Sequence, residues 1–417
     1  MLTVNSLVEL RTQLRNTIIL VAMLLTPLTI ARAAAPPTTA PAPVGGVYDV
    51  KAFGATGDGK TLDSPAINRA IEAATAAGGG TVRFPAGNFL CTSIHLASDI
   101  ILEIGAGATI IAAAPQDGFN CDPPEPNPFE MYQDFGHGHW HNSLIWGENL
   151  HNVSIVGPGT IWGKGLARNH KRPEDGADKS IALKLCRNVL IRDVVIMHGG
   201  HMAILATGVE DLTVDNVKID TNRDGIDIDC CRNVRISNCC INSPLDDGLC
   251  LKSSYALGDA RPTENVTISN VTVNNADPRT GSIISGIPGH DIEDVKLSNI
   301  RICYRGGGTK EEAATQPTER ENGYPEPGLF GQIPAYGFYI RHAGGIEVSG
   351  VKVTWEKDDL RPAFALDDVA GACFDHVIAS HLDKVPTFVL KRVTGFRVDH
   401  CDGVPETSRD AVVEDSL

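Results

Sequence analysis

Aromatic residues are scarce in this chain of 417 residues, at 6%, and helices packed on bulky rings are a poor match to that composition. Basic residues are outnumbered: 36 Lys and Arg stand against 51 Asp and Glu, a formal charge of −15. Nucleic-acid binding is therefore not expected, because phosphate contacts need clustered Lys and Arg. An acidic polysaccharide remains open if its groove is locally basic. No Cys-x-x-Cys occurs among the 11 cysteines, and their spacings fit no usual zinc pattern. The Gly-rich turn near Gly54–Gly59 lacks the spacing of a phosphate loop. Beyond the N-terminus no stretch is apolar enough to cross a bilayer.

The N-terminus itself reads as an export signal over residues 1–33. Arg11 and Arg15 precede an apolar run from Ile18 to Ile30, and Ala31-Arg32-Ala33 fits a small-x-small cleavage site. Residues 34–46, rich in Pro, Ala and Thr, read as a linker. The expectation is a secreted or periplasmic protein, not inserted in a membrane once the signal is removed. In that setting one or two disulfides are open, with most thiols read as buried and stacked.

What the chain does contain is glycine, 42 residues of it, and short runs of Val, Ile and Leu. From 47 to 417 these runs recur, each introduced by Asn or Asp: NVSI from Asn152, NVLI from Asn188, DLTV from Asp211, NVRI from Asn233, NVTI from Asn265 and DVKL from Asp294. Less regular copies begin at Gly345 and Gly395. Such an interval means a solenoid or a propeller, but propeller blades are longer. Helical repeats would show a 3.6-residue period, which is missing. An all-β fold, a single-stranded parallel β-helix with two or three strands per coil, is the expectation. One amphipathic helix precedes the repeats, with Ser64 as N-cap, Pro65 in the first turn and Ile67, Ala70, Ile71 and Ala74 on one face. It reads as a cap on the open N-terminal end.

Carboxylates are densest between Thr221 and Ser253. In each of two coils a second strand is expected, over Gly225–Asp229 and Gly248–Lys252. Asp224 stands just before the first, and Asp246 and Asp247 just before the second. Neighbouring strands lie ~4.8 Å apart, so these three would meet on one lateral face. Adjacent acids push their titrations apart, and one can stay protonated beside an ionised neighbour. Sugar hydrolysis needs such a pair. Asp227 and Asp229 lie within a strand and read as a ladder. Two long insertions, Asp117–His141 and Arg305–Tyr336, are expected to wall the groove. In the first, His137, His139 and His141 alternate and would share a face on a strand. Metal binding, substrate contact by a histidine such as His139 or by Trp140, and local packing are all open for them.

At these residues the chain resembles glycoside hydrolase family 28, the polygalacturonases and rhamnogalacturonases. Asn222-Arg223-Asp224-Gly225-Ile226-Asp227 is similar to that family's Asn-Thr-Asp-Gly-Ile-Asp motif, with Arg for Thr. Leu245-Asp246-Asp247-Gly248 is similar to its Gly-Asp-Asp motif, with Leu for Gly. The resemblance runs from about Tyr48 to about Arg397. It implies a right-handed parallel β-helix acting on a pectin-type substrate by inversion, with no metal or cofactor. By it, Asp246 is the acid, and Asp224 and Asp247 hold the attacking water. Inverting carboxyl pairs usually stand ~6.5–9.5 Å apart. The implied partner is an acidic plant-type polysaccharide or oligosaccharide, with Asn222 at the substrate.

Two family motifs are missing after Asp247: Gly-His-Gly one coil on, and Arg-x-Lys on the next rung. Lys252 and Arg341, followed by His342, are the candidates to meet a uronate carboxylate instead. The leading function is an exported hydrolase of galacturonan or rhamnogalacturonan. A binding β-helix that has lost turnover is the alternative, and a calcium-dependent lyase is a third.

Overall fold

The computed structural model describes residues 46–132, 136–168, 176–221, 223–259, 261–277, 281–320 and 327–417. The export segment, nearly all of the linker and Asn222 lie outside them. No helix among the described residues is long and apolar enough to cross a membrane.

Three parallel sheets run the length of the repeats, with 14, 11 and 6 strands, and within each the strands follow chain order. One coil supplies one strand to each sheet. Asp224–Asp229 lies in the six-stranded sheet, Arg232–Ser237 in the 14-stranded sheet and Cys240–Asn242 in the 11-stranded sheet. This is the expected right-handed parallel β-helix. Three strands rather than two make each of these coils. The apolar alternation from Leu212 to Ile219, which reads as one run in the sequence, is split into Glu210–Asp215 and Lys218–Asp220. Between them Asn216 turns the chain with φ of 51°, which Asn tolerates better than most residues.

The Asn and Asp residues that introduce the repeats have the same conformation. Asn152, Asn188, Asp211, Asn233, Asn265 and Asp294 all have φ between 52° and 59°. Their side chains join adjacent rungs. Asn188 Nδ2 donates to Asn152 Oδ1 at 2.7 Å, Asn233 to Asp211 at 3.0 Å and Asn265 to Asn233 at 2.6 Å. One residue further on, Val153, Val189, Leu212, Val234, Val266 and Val295 stack in register in the core, all buried. Each such side chain contributes roughly 1.5–3 kcal/mol on burial.

The helix Ser64–Ala76 packs on the first coil with the expected face buried. Its N-cap is Asp63 rather than Ser64. The Asp63 carboxylate turns away from the helix and accepts from the Thr56 and Gly57 amides at 2.7 and 3.0 Å. At the other end Thr407–Ser416 pairs antiparallel with Phe388–Asp399. All eleven cysteines are free.

The six-stranded sheet holds the aspartates and stops at Leu249–Lys252. The short strand Ser282–Ser285 follows in that position and pairs onward with Phe338–Arg341. Beyond it the six- and 14-stranded sheets merge, and the strands Phe338–Ser349, Phe364–Asp375 and Phe388–Asp399 each run 12 residues.

Candidate active site

Where the six-stranded sheet breaks off, a cavity of about 500 Å³ opens between the rungs. Asp246, Asp247, Cys250 and Lys252 line one side and Ser282–Ser285 the other, with Phe330 and Gln332 from the second insertion. Core residues including Val273, Ile302 and Phe338 form its apolar lining.

Asp224, Asp246 and Asp247 meet beside this cavity, each with an oxygen within 4.8 Å of the others. The shared face expected from the sequence is therefore present. The rung pairing differs from the 22-residue interval. Ile219 pairs with Ile241, 22 residues on, but Ile226 pairs with Leu249, 23 on. The turn at Ser243–Gly248 carries one extra residue. Asp247 thus stacks on Asp224, and the Gly225 amide donates to the Asp247 carbonyl at 2.8 Å. Asp246 is the residue displaced toward the rim. Oxygens this close are what side chains on neighbouring rungs, ~4.8 Å apart, can bring together.

Asp246 is held by Arg223. Arg223 Nη1 meets Asp246 Oδ2 at 2.9 Å, and Arg223 Nη2 lies 2.7 Å from His201 Nε2. The Asp247 amide donates to Asp246 Oδ1 at 3.1 Å. The Ser243 hydroxyl lies 2.6 Å from the Arg223 carbonyl and 3.1 Å from that of Asp246, which ties the two turns together. His201 stands between Asp178 and Asp224, 3.8 Å from a carboxylate oxygen of each. Arg223 and His201 were not foreseen. The one signal in the sequence was Arg in the place of the motif's Thr.

A second buried cluster backs the first. His137 Nε2 lies 2.8 Å from Lys252 Nζ and 3.2 Å from Asp227 Oδ1, and Lys252 Nζ lies 3.3 Å from that oxygen. The Cys250 thiol donates to it at 2.6 Å. Asp227 is therefore more than a ladder residue, whereas Asp229 is held by Ser254 and Cys230. The Gly-His-Gly missing downstream stands upstream as Gly136-His137-Gly138, and its histidine comes within 4.8 Å of Asp224 and Asp227. A Cβ on Gly136 would come within 2.7 Å of the His201 ring, so only glycine lets the loop approach this closely.

The three loop histidines do not share a face, because residues 136–142 form turns rather than a strand. His139 is buried, and His141 stacks on Trp146 at 3.9 Å and bonds Glu148 at 2.9 Å. Trp140 packs on Ala182, Met202 and Leu205 and donates to Thr207 at 3.0 Å, a core role rather than an open sugar platform. Lys252 reaches the site. Arg341 and His342 do not line the cavity. Arg341 donates to the Pro317 carbonyl at 3.0 Å, and His342 bonds Asp368 and Glu319 at 2.7 and 2.9 Å.

These surroundings separate the acids. Burial, then the charges of Asp227, Asp246 and Asp247, push Asp224 well above the usual carboxylate range. Burial raises Asp247 to about 7, with Lys252 opposing and Asp246 and Asp227 adding. Burial would raise Asp227 too, but Lys252 and His137 outweigh it and hold its carboxyl below the usual range. One protonated and one ionised carboxyl can thus coexist at neutral pH. Three grouped oxygens can also attract a cation, but here Arg223 and Lys252 already supply positive charge.

Residues 127–257, the stretch holding both clusters, match the family model for glycosyl hydrolases family 28. That stretch is similar to family 28. Ahead of it, residues 47–121 match a model described as rhamnogalacturonase A/epimerase, pectate lyase-like. A probable polygalacturonase of Vitis vinifera is 28% identical over 268 residues, 60% of this chain and 53% of the relative. Alginate lyase 7 of Azotobacter vinelandii is 50% identical over 66 residues, 16% of this chain and 8% of that enzyme. The chain thus spans about half the length of the first relative and a small part of the second. Among solved structures, a hyperthermoactive exopolygalacturonase from Thermotoga maritima superposes with a TM-score of 0.56 at 17% identity. That match covers 89% of this chain and 95% of the other. At that identity it shows the fold, and the family 28 pattern itself comes from the central coils.

Proposed function

We propose that this chain is an exported glycoside hydrolase that cleaves a pectin-type polysaccharide or oligosaccharide, galacturonan or rhamnogalacturonan. The observation that carries the reading is the meeting of Asp224, Asp246 and Asp247 beside a cavity, in a stretch that matches the family 28 model. Their unequal environments supply an acid and a base. Lys252 is the proposed contact for an acidic sugar, since it lines the cavity. Arg341, His342 and His139 would reach substrate only by leaving their present partners. Asn222 is proposed at the substrate from the motif alone. Hydrolysis needs no metal in this reading.

Inversion is proposed from the resemblance. Proton NMR of the first product formed tests it, and retained configuration would overturn it. The activity is tested by incubating the protein with polygalacturonate and with rhamnogalacturonan, with and without chelator. New reducing ends without unsaturated sugars, unaffected by chelator, are the expected result. Unsaturated ends lost on chelation would mean a lyase. Binding without cleavage would mean a β-helix that has lost turnover, a reading favoured by Arg341 being tied to Pro317 and Glu319.

A further inference from the structure

We propose that Asp375, His376 and His400 form a binding site for a divalent transition-metal ion, with zinc the best match, near the C-terminal end of the solenoid. None of the three lines the cavity beside the aspartates. His376 turns the chain from Phe364–Asp375 toward Ile378–Ala379, and His400 follows Phe388–Asp399. The inference stands whatever the chain cleaves.

This corner follows a rule that the two histidines break. Ser237, Ser269, Ser298, Ser349, Asp375 and Asp399 stack in register on successive rungs. The residue after each is Asn238, Asn270, Asn299, Gly350, His376 or His400, all with φ between 50° and 62°. The asparagines pass a hydrogen bond along the column, Asn270 to Asn238 at 3.0 Å and Asn299 to Asn270 at 2.7 Å. Asn therefore meets both needs of the turn, the left-handed backbone and a bond between rungs. Yet Ser-Asn at three rungs gives way to Asp-His at two. The turn itself does not call for imidazole.

The imidazoles converge on one oxygen. His376 Nδ1 lies 2.8 Å from Asp375 Oδ1, and His400 Nδ1 lies 3.1 Å from the same atom. The two rings stack with centroids 4.9 Å apart, and the donor atoms of the three residues lie within 4.8 Å of one another. Zinc ligands at ~2.0–2.1 Å in a tetrahedral shell stand ~3.3 Å apart, so small side-chain shifts would close this set on an ion. Both rings are exposed, which leaves room for water to complete the shell. The far side of the His400 ring is also provided for: Nε2 faces Glu406 Oε1 at 3.8 Å. A carboxylate on the second ring nitrogen is the usual support of a metal-binding histidine.

The charges around the set favour a cation. Arg397, the neighbouring positive group, is taken up by Asp399. In the register position of Arg397 the Asp375 rung carries Cys373, so the arginine that occupies Asp399 has no counterpart there. Two imidazoles with one carboxylate suit zinc, nickel or copper, whereas calcium and magnesium prefer oxygen ligands throughout. Such an ion would clip together the rungs Phe364–Asp375 and Phe388–Asp399. Through Glu406, next to the closing strand Thr407–Ser416, it would also steady the end of the solenoid.

The test is a titration of the full chain, its histidines labelled with nitrogen-15, with zinc ion. The Nδ1 signals of His376 and His400 should shift together and saturate at one ion, and the melting temperature should rise. Calcium and magnesium should do neither. His376→Asn and His400→Asn restore the residue type of the column, so each should melt like wild type in EDTA and lose the rise caused by zinc. Glu406→Gln should weaken zinc binding by ~10–100-fold without abolishing it. Ring signals that stay in place as zinc is added would overturn the proposal, and this readout in wild type decides even if a variant fails to fold. A rise in melting temperature that survives both histidine substitutions, or that is lost instead in Asp224→Asn, would place the ion elsewhere and overturn it too.

Discussion

Asp227 and Asp247 are both in the site, yet their surroundings drive their titrations in opposite directions. The consequences for stability are opposite too. Asp227 is held low in the folded chain, so its contribution is present above the usual carboxylate pKa of about 4 and is lost as pH falls further. Asp247 is held up at about 7, so between about 4 and 7 the folded state binds the extra proton. Stability from this group therefore falls as pH rises through that window. The expected outcome is a melting temperature that declines from pH 4 to 7 in wild type and declines less in Asp247→Asn. An equal slope in both would show that Asp247 titrates normally. Lys252→Met should be more severe, destabilising the protein by about 3–5 kcal/mol in urea, because it leaves the Asp227 charge buried with less compensation. At this scale the sequence was legible where a motif named the residue, as with Asp224, Asp246 and Asp247. It was silent on His201 and half silent on His137, because their reach depends on loop paths that no periodicity encodes. Arg341 and His342 looked available by rung counting, but counting rungs says nothing of the partners, Pro317, Glu319 and Asp368, that take up their polar atoms.

Each coil turns on a residue with positive φ, and that requirement is what made the coils visible in the sequence. Asn and Asp tolerate the left-handed conformation and pass a hydrogen bond to the next rung, so NVRI and DLTV stand out as repeats. Glycine meets the same φ without a side chain. Gly345, Gly371 and Gly395 continue the column with φ of 64°, 78° and 60°, and the Gly371 copy carried too little pattern to be noticed. The second turn of the coil, at Asn216 and Asn238, obeys the same rule but falls inside an apolar run, so two strands read as one. Asn233 separates the two effects. Asn233→Gly should lose the ladder bonds to Asp211 and Asn265 but shed the Cβ, whereas Asn233→Ala loses the same bonds and keeps a Cβ in the left-handed region without the polar side chain that makes it tolerable, at about 1–2 kcal/mol. Urea unfolding should therefore rank wild type, Gly, then Ala. An alanine variant as stable as the glycine one would mean that the backbone relaxes and that φ is not what fixes this turn.

Across the whole solenoid each rung is stabilised by its neighbours, so an interruption in one sheet divides the molecule. The six-stranded sheet has such an interruption beside the aspartates. Among the described residues, Leu249–Lys252 pairs only with Asp224–Asp229, and Ser282–Ser285 only with Phe338–Arg341. Two strand edges thus flank the cavity, while the 14- and 11-stranded sheets run on past it without a break. The regular coils up to Asn242 were legible because one pattern repeats with near-constant spacing. The interruption was not, because it is made by a missing pairing rather than by any residue type. Nor was the merging of two strands into Phe338–Ser349 and its successors, since a straightened corner leaves no turn signal. Local opening follows where pairing is one-sided. Amide exchange should be slowest in Met202–Thr207, which is paired on both sides, and clearly faster in Leu249–Lys252 and Ser282–Ser285. A substrate oligosaccharide that enters the cavity should slow exchange in those two strands and leave Met202–Thr207 unchanged. Uniform protection across all three strands, with or without sugar, would mean that the continuous sheets alone set the cooperativity and that the break beside the site has no dynamic consequence.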